Sequence, residues 1–224
     1  MQNYKKNWSN ERIMNFFRRT LSYIVLLACA HTTYAQSAAE AFISIPDSIL
    51  PYTTQEMRDI VCHKYSELHN DTTGGNVTAE IETAFGSPMK VLALSSTHIE
   101  VELTRHSSIE IIVDTLGTPS IYTIRQYKAP ATDTQIDQWT PDWQHIRSID
   151  PKLKPADFLS PALSTSEREE AMRLIEFPMY EAHWIEAERK IELRLSLPLL
   201  SQADKDKYAK YFIQLSRELD TQKQ

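Results

Sequence analysis

Glycine and cysteine are both scarce in this sequence. Its 224 residues include four glycines and two cysteines. Loops that cradle phosphate groups or dinucleotides need several glycines at fixed offsets, so nucleotide binding of those kinds is excluded. The sequence also has no Gly-x-Ser-x-Gly nucleophile elbow, no His-Glu-x-x-His zinc helix and no Cys-x-x-Cys pair. These absences remove the commoner secreted hydrolases, and we lean towards a protein that is not an enzyme.

An apolar run long enough to span a bilayer is missing as well, and the first 35 residues instead have the pattern of a secretory signal peptide. Five basic residues precede a short apolar core at residues 21–30, and residues 33–35 form a small-x-small peptidase site. A permanent membrane helix needs roughly twenty apolar residues, and residues 31–35 are too polar to extend the core. We therefore predict a signal peptide at 1–35, cleaved between Ala35 and Gln36, and no transmembrane segment in the mature chain.

Two details of this leader leave alternatives open. It is long before its apolar core, so translation could begin at Met14, with Arg18 and Arg19 still supplying positive charge. Residues 26–29, Leu-Leu-Ala-Cys, loosely match the lipobox of bacterial lipoproteins. Lipidation of Cys29 is therefore the alternative to cleavage after Ala35, and both alternatives predict an exported protein.

Positive charge becomes scarce once the leader is removed. Five of the 24 basic residues and one of the 30 acidic residues lie in it, so the mature chain carries 19 against 29, a formal net charge of −10. An acidic surface of this kind is a poor partner for nucleic acid or anionic lipid, and we predict no nucleic-acid partner. Cys62 becomes the one cysteine of the mature chain, which rules out an intramolecular disulfide. A buried, inert thiol on a helix is favoured over a nucleophile.

Strand alternation is what the sequence contains most clearly, above all in residues 97–105. Ile99, Val101 and Leu103 point one way and the polar residues between them point the other way, which predicts a strand with one buried and one solvated face. The pattern recurs at residues 109–114 after a turn too short for a parallel crossover, so these two strands should form a hairpin. A third strand at residues 121–128 completes a predicted meander.

Helices are indicated by capping boxes and helical spacing. Capping boxes occur at residues 53–56 and 164–167, before apolar residues at helical spacing. The predicted helices are residues 54–69, a short helix from Ser164, and a last helix from Ser201 whose apolar face is Tyr208, Phe212, Leu215 and Leu219. Residues 41–52 carry two prolines and should be extended, and residues 149–163 carry three and should be irregular.

The remaining strands are a hairpin and three weaker candidates. Residues 190–197 alternate strictly and should pair with residues 177–185, while residues 77–85, 135–139 and 143–147 are weaker strands. Runs of strands separated from helices indicate antiparallel pairing. We predict a single α+β domain over residues 36–224, in which an antiparallel β-meander and a C-terminal hairpin pack against two or three helices.

Two groups of titratable residues are candidates for chemistry. His98, Glu100, Glu102 and His106 share a strand face and could ligate zinc, although a solvated sheet face has the same composition. The second group could act as a general acid and base, but an exposed hairpin is the favoured explanation; its members are Glu181, His183, Glu186 and Glu188. We assign no catalytic residue, no metal ligand and no cofactor.

Aromatic residues give the candidate ligand-binding residues. Trp139 and Trp143, with Tyr122, Tyr127 and Tyr180, could stack on sugar rings, since aromatic faces suit such ligands. Trp139, Trp143 and Tyr127 are the candidate ligand-binding residues. Packing in the core or at a sheet edge is the alternative use of these side chains.

Several short motifs together resemble a known family. Residues 42–51 have the pattern Phe-x-x-Ile-Pro-Asp-Ser-Ile-Leu-Pro, Ala-Pro at 129–130 is followed by Asp-Thr-x-Ile at 133–136, and Asp-Trp occurs at 142–143. The mature sequence is similar, over nearly its whole length, to an uncharacterised family of exported Bacteroidales proteins classed as a domain of unknown function, family 3256. The resemblance implies the envelope of a Gram-negative anaerobe. It implies no activity, cofactor or catalytic residue.

These observations predict an exported protein that is periplasmic or associated peripherally with the outer membrane. Its predicted role is that of a non-catalytic interaction module whose exposed sheet face or strand edge engages an envelope protein. The alternative is a secreted hydrolase or carbohydrate-binding protein that uses the segment from Trp139 to Trp143.

Overall fold

A computed structural model describes residues 36–70, 78–116, 118–128, 132–175, 179–197 and 200–218. The predicted signal peptide, with Cys29 and Ala35, lies outside the described residues. No helix in the described ranges is both long and apolar enough to cross a membrane.

The predicted meander is the centre of a seven-stranded antiparallel sheet, here called the large sheet. Each strand pairs with the next along the chain, so the order in space is the order in sequence. The strands are β1 (Glu80–Glu82), β2 (Pro88–Leu94), β3 (His98–Thr104), β4 (Ser107–Asp114), β5 (Ser120–Tyr127), β6 (Asp133–Trp139) and β7 (His145–Ser148). Two of the weaker candidates thus become β6 and β7, while the candidate at residues 77–85 is reduced to three residues.

A second sheet, here called the small sheet, contains the predicted hairpin. Its strands are β8 (Met179–Ile185), β9 (Lys190–Ser196) and β10 (Leu215–Glu218), in the order β10-β9-β8 and all antiparallel. The third strand corrects the prediction of one long final helix. The helix ends at Tyr208, and Leu215, expected on its apolar face, instead pairs with Leu193 of β9. Packing against a neighbouring strand overrides the helical spacing of that segment.

In the described part of the chain, four α-helices accompany the sheets: α1 (Ala38–Ser44), α2 (Gln55–Asn70), α3 (Thr165–Leu174) and α4 (Gln202–Tyr208). The capping box from Ser164 to Glu167 is present, as predicted. Helix α1 was not predicted, because the prolines of residues 41–52 argued against a helix. It begins at a capping box formed by Ser37 and Glu40 and ends before Pro46, so neither proline interrupts it.

The large sheet is covered on both faces. Helices α1 and α2 cover one face, where Phe42 and Val61 pack with Ile99, Val101 and Ile111. The small sheet covers the other face with a second apolar cluster formed by Ile112, Tyr122, Ile124, Ile136, Phe158, Ala182, Trp184, Ile191 and Leu193. The face that the alternation predicted to be solvated is therefore buried under the small sheet. The α+β class is confirmed, with the hairpin packed on the meander itself.

A buried arginine secures the chain in front of α2. Arg58 is 1% exposed. Its guanidinium donates to the carbonyl oxygens of Ile45 and Thr53 at 2.6 and 2.7 Å and pairs with Asp47 at 3.2 Å. Cys62 on the same helix is buried, and its desolvation, together with the nearby charge of Asp59, raises the pKa of the thiol to about 12. The thiol is therefore protonated and inert at neutral pH.

Candidate functional site

Polar side chains of the large sheet seal one edge of β8. The hydroxyl of Thr134 donates to the carbonyl oxygen of Tyr180 at 2.8 Å, and the amide of Gln126 donates to that of Ala182 at 2.6 Å. The backbone N–H of Trp184 donates to Glu110 Oε2 at 2.9 Å. Alternate residues of a strand direct their backbone groups to the same side, so all three bonds lie on the edge of β8 that is not paired with β9. We call this arrangement the closed seam.

Glu110 is the most highly connected residue of the closed seam. Its side chain is 3% exposed, and it lies between two histidines, with His98 Nε2 at 3.1 Å from Oε2 and His183 Nδ1 at 3.0 Å from Oε1. Glu100, partly buried on β3, is its direct cross-strand partner on β4. We call His98, Glu100, Glu110 and His183 the Glu110 cluster.

The charges of the Glu110 cluster follow from these contacts. Burial works to raise the pKa of Glu110, but hydrogen bonds from His183, His98 and the Trp184 N–H outweigh it, so the pKa lies below its ordinary value. The hydrogen bond to Glu110 raises the pKa of His183 against the effect of burial. Burial, and then the charge of Glu110, raise the pKa of Glu100. Glu110 is thus the fixed anion of the cluster.

The sequence pointed to three of these four residues but divided them between two groups. His98 and Glu100 were grouped with Glu102 and His106, which do not join the cluster; His106 is exposed in the turn between β3 and β4. His183 was placed on an exposed hairpin, whereas the hairpin lies against the large sheet and His183 meets Glu110. Glu110 itself was missed as a site residue, although its position on the polar side of β4 was the available signal.

Two of the other acidic residues of the hairpin group, Glu186 and Glu188, serve elsewhere. Glu186 accepts hydrogen bonds from the hydroxyls of Ser95 and Thr97 at 2.6 and 2.7 Å, which ties the turn between β8 and β9 to the turn before β3. Glu188 is exposed and lies 3.9 Å from Lys190. These residues therefore do not form a paired-carboxylate site with His183.

The opposite side of the gap between the two sheets is open. A cleft of about 550 Å³ lies there between β7 and β10. Four apolar side chains form its floor, namely Ile136, Ile149, Ile191 and Leu193. Charged side chains line its rim, namely Arg147, Asp150, Lys152, Arg217 and Glu218. We call this cleft with its two bordering strands the open seam.

Arg217 is directed into the open seam by the register of the small sheet. It is the direct partner of Ile191, whose side chain belongs to the core, so both lie on the face turned towards the large sheet. Arg217 is exposed and donates to the carbonyl oxygen of Ser216 at 3.1 Å. No ion pair joins it to any acidic residue within the described ranges. A cation therefore stands beside an apolar floor.

The three aromatic residues predicted to bind a ligand do not share a surface. Trp143 is 6% exposed, and its indole N–H donates to Ser44 Oγ at 3.3 Å, which ties the turn after β6 to α1. Trp139 is partly buried, 5.9 Å from Trp143 between ring centroids. Tyr127 is exposed but pairs with Asp133, at the other end of β5 and β6, about 20 Å from Trp139 at the rise of a strand. Ligand binding by these residues stays a prediction.

Comparison with known proteins relates the chain to one family and one fold. The family model described as "Protein of unknown function (DUF3256)" matches residues 30–220. Among solved structures, a domain of an uncharacterized protein from Porphyromonas gingivalis W83 is similar, at 16% identity and a TM-score of 0.59, over 80% of this chain and 91% of that chain. At that identity the likeness concerns the fold alone. No curated protein matches the sequence.

Proposed function

We propose that this chain, which belongs to the DUF3256 family of proteins of unknown function as its motifs predicted, is an exported binding module of the cell envelope. Its proposed ligand is an extended segment of another envelope protein, held in the open seam. The observation that carries this proposal is the cleft of about 550 Å³ with an apolar floor between two edge strands.

Edge strands are the first support for binding of an extended segment. β7 is the last strand of the large sheet and β10 is the last strand of the small sheet, so each pairs with one neighbour among the described strands. An edge strand presents unpaired N–H and C=O groups that can pair with an added strand. A segment added there gains main-chain hydrogen bonds, and pockets for its alternate side chains give specificity.

The side chains of the open seam indicate the chemistry of that segment. An added strand would direct every second side chain to the floor formed by Ile136, Ile149, Ile191 and Leu193. The rim has three basic residues and two acidic ones, and Arg217 has no ion-pair partner among the described residues, so negative charge on the ligand is favoured beside it. The proposed ligand therefore alternates apolar residues with acidic ones, and attraction at the rim favours its encounter and fixes its register.

Export is supported by the sequence pattern of residues 1–35 and by the resemblance to exported proteins. Intact mass of the protein recovered from cells tests this part separately. A mature start at Gln36 is expected, and a start at a diacylated Cys29 would replace cleavage after Ala35 by lipidation.

Photocrosslinking in whole cells tests the binding site. A photoreactive amino acid at Ile146, which is 47% exposed on β7, should give one defined crosslinked envelope protein. Arg217→Glu should abolish that product, because it reverses the charge at the rim. The matched control places the same amino acid at His63, whose side chain is 73% exposed on α2, and should give no such product.

Two outcomes would overturn the proposal. One is the same product from both positions. The other is no protein product from position 146 together with binding of purified protein to a glycan array that Trp139→Ala removes, which would establish the carbohydrate-binding alternative.

A further inference from the structure

We propose that Glu100, Glu110 and His183 form a binding site for a divalent transition metal, and that Zn²⁺ is the ion their donor atoms fit best. The three side chains each offer one ligand atom, and these atoms lie within 4.8 Å of one another. They come from β3, β4 and β8, so the metal would join three strands of the two sheets. This inference is independent of the open seam.

The distances are close to those a metal needs. Zinc binds imidazole nitrogen and carboxylate oxygen at about 2.0–2.2 Å, so two ligand atoms in a tetrahedral site are about 3.4 Å apart. His183 Nδ1 and Glu110 Oε1 are 3.0 Å apart, so they need to move apart only slightly to reach the distance between two zinc ligands. Both movable ligands have room for it, since the side chain of His183 is 36% exposed and Glu100 is partly exposed.

The charges of the ligands match a dication. Glu100 and Glu110 are direct cross-strand partners, and like charges in that position destabilise a sheet. Two carboxylates and a neutral imidazole carry the charge that one Zn²⁺ neutralises. The imidazole selects zinc over Mg²⁺ and Ca²⁺, which prefer sites made of oxygen ligands only.

The residues around the ligands hold the central one in place. His98 Nε2, at 3.1 Å, and the Trp184 N–H, at 2.9 Å, both contact Glu110 Oε2 and leave Oε1 for the metal. Partners of this kind orient a metal ligand and tune its basicity. With three protein ligands and a solvent-facing side, the fourth position belongs to water.

Calorimetric titration of the purified full chain, first stripped with EDTA, with Zn²⁺ at pH 7.5 tests the site. We expect one strong site in the wild type and at least about tenfold weaker binding in Glu100→Gln. Glu100→Gln removes a like charge from the pair, so the metal-free variant should melt no lower than the wild type. Loss of metal binding is thereby separated from loss of fold.

The matched control is His63→Ala. His63 and Glu67 form an exposed pair at 3.4 Å on α2, the kind of surface pair that binds zinc weakly, and their loss should leave the strong site unchanged. At a hundredfold excess over the dissociation constant, zinc should raise the melting temperature of the wild type by about 5–10 °C, and magnesium should not.

The proposal is wrong if the wild type shows no strong site, if Glu100→Gln binds as the wild type does, or if His63→Ala removes the strong site. Since none of these variants touches the open seam, such a result would leave the proposed envelope partner unaffected.

Discussion

The strand edges at the two sides of the gap between the sheets differ in their hydrogen-bond partners. At the closed seam, Thr134, Gln126 and Glu110 from three successive strands bind the backbone edge of β8. At the open seam, β7 and β10 border an apolar cleft, and the described strands leave one edge of each unpaired. The closed seam uses polar side chains in place of a neighbouring strand, whereas the unpaired edges at the open seam are the basis of the proposed partner binding.

The two seams differ in whether the strand edge beside them has hydrogen-bond partners. A buried backbone group without a partner is costly, so the polar residues of the closed seam are explained by stability. The floor of the open seam consists of three buried core residues and the partly buried Ile149, so it contributes to stability as well. Binding is assigned to the open seam because its cleft borders two strands with unpaired edges. Variants that change one side and not the other test this division.

Removal of Glu110 should have the largest effect. Glu110→Ala leaves His98, His183 and the Trp184 N–H without their common acceptor, and breaking a buried pair of this kind costs about 3–5 kcal/mol of unfolding free energy. Urea denaturation in the presence of EDTA measures it. Arg217→Ala at the open seam is the control and should change stability by less than about 0.5 kcal/mol. Equal losses in the two variants would remove the distinction between the seams.

Gln126 should have an intermediate effect. Gln126→Ala leaves the carbonyl oxygen of Ala182 without its donor in a buried position, at a cost of about 1–3 kcal/mol. Gln55, exposed at the first position of α2, supplies the control variant Gln55→Ala, which should stay near the wild type. Amide hydrogen exchange should also speed up in β8 in Gln126→Ala. Unchanged stability would show that the bond from Gln126 does not contribute to the closed seam.

Glu186 should have the smallest effect, and its effect should depend on pH. Hydrogen bonds from Ser95 and Thr97 lower the pKa of this mostly exposed carboxylate. A folded-state pKa below the unfolded one stabilises the protein above the unfolded value, near 4.3, and this contribution is lost as pH falls through the lowered pKa. The unfolding free energy of Glu186→Gln should therefore be lower than that of the wild type at pH 7, by under about 1 kcal/mol. The difference between the two proteins should disappear near pH 3. A gap that widens in acid would contradict the assignment.

The positions of the strands could be predicted from the sequence better than what each strand face contacts. Alternation in residues 97–113 and 190–197 identifies a two-faced strand, and both hairpins form. It does not show whether the polar face meets water or another sheet, because both environments accept polar residues. Glu110 illustrates this, since its carboxylate contacts His183 on β8, which lies 73 residues further along the chain. Such a contact depends on how the two sheets pack, and spacing along one strand carries no record of it.

Local signals also failed where longer-range contacts decide the conformation. The prolines at 46 and 51 suggested an extended chain, yet a capping box started α1 before them. The spacing of Tyr208, Phe212 and Leu215 suggested one helix, yet pairing with Leu193 made the last of these part of a strand. Leu219, expected on the same helix face, lies outside the described residues. In both cases the described residues expected in the core lie on or beside it, so the apolar pattern was informative even where the element was wrong.

The buried guanidinium of Arg58 has a consequence for shortened versions of the protein. Three carbonyl groups, those of Ile43, Ile45 and Thr53, surround it together with Asp47. A truncation that begins after Leu50 would strip away most of these acceptors while leaving the cation in an apolar setting. Engineered fragments should therefore retain the segment from α1 to α2, since its removal destabilises α2. Helices α1 and α2 together cover one face of the large sheet.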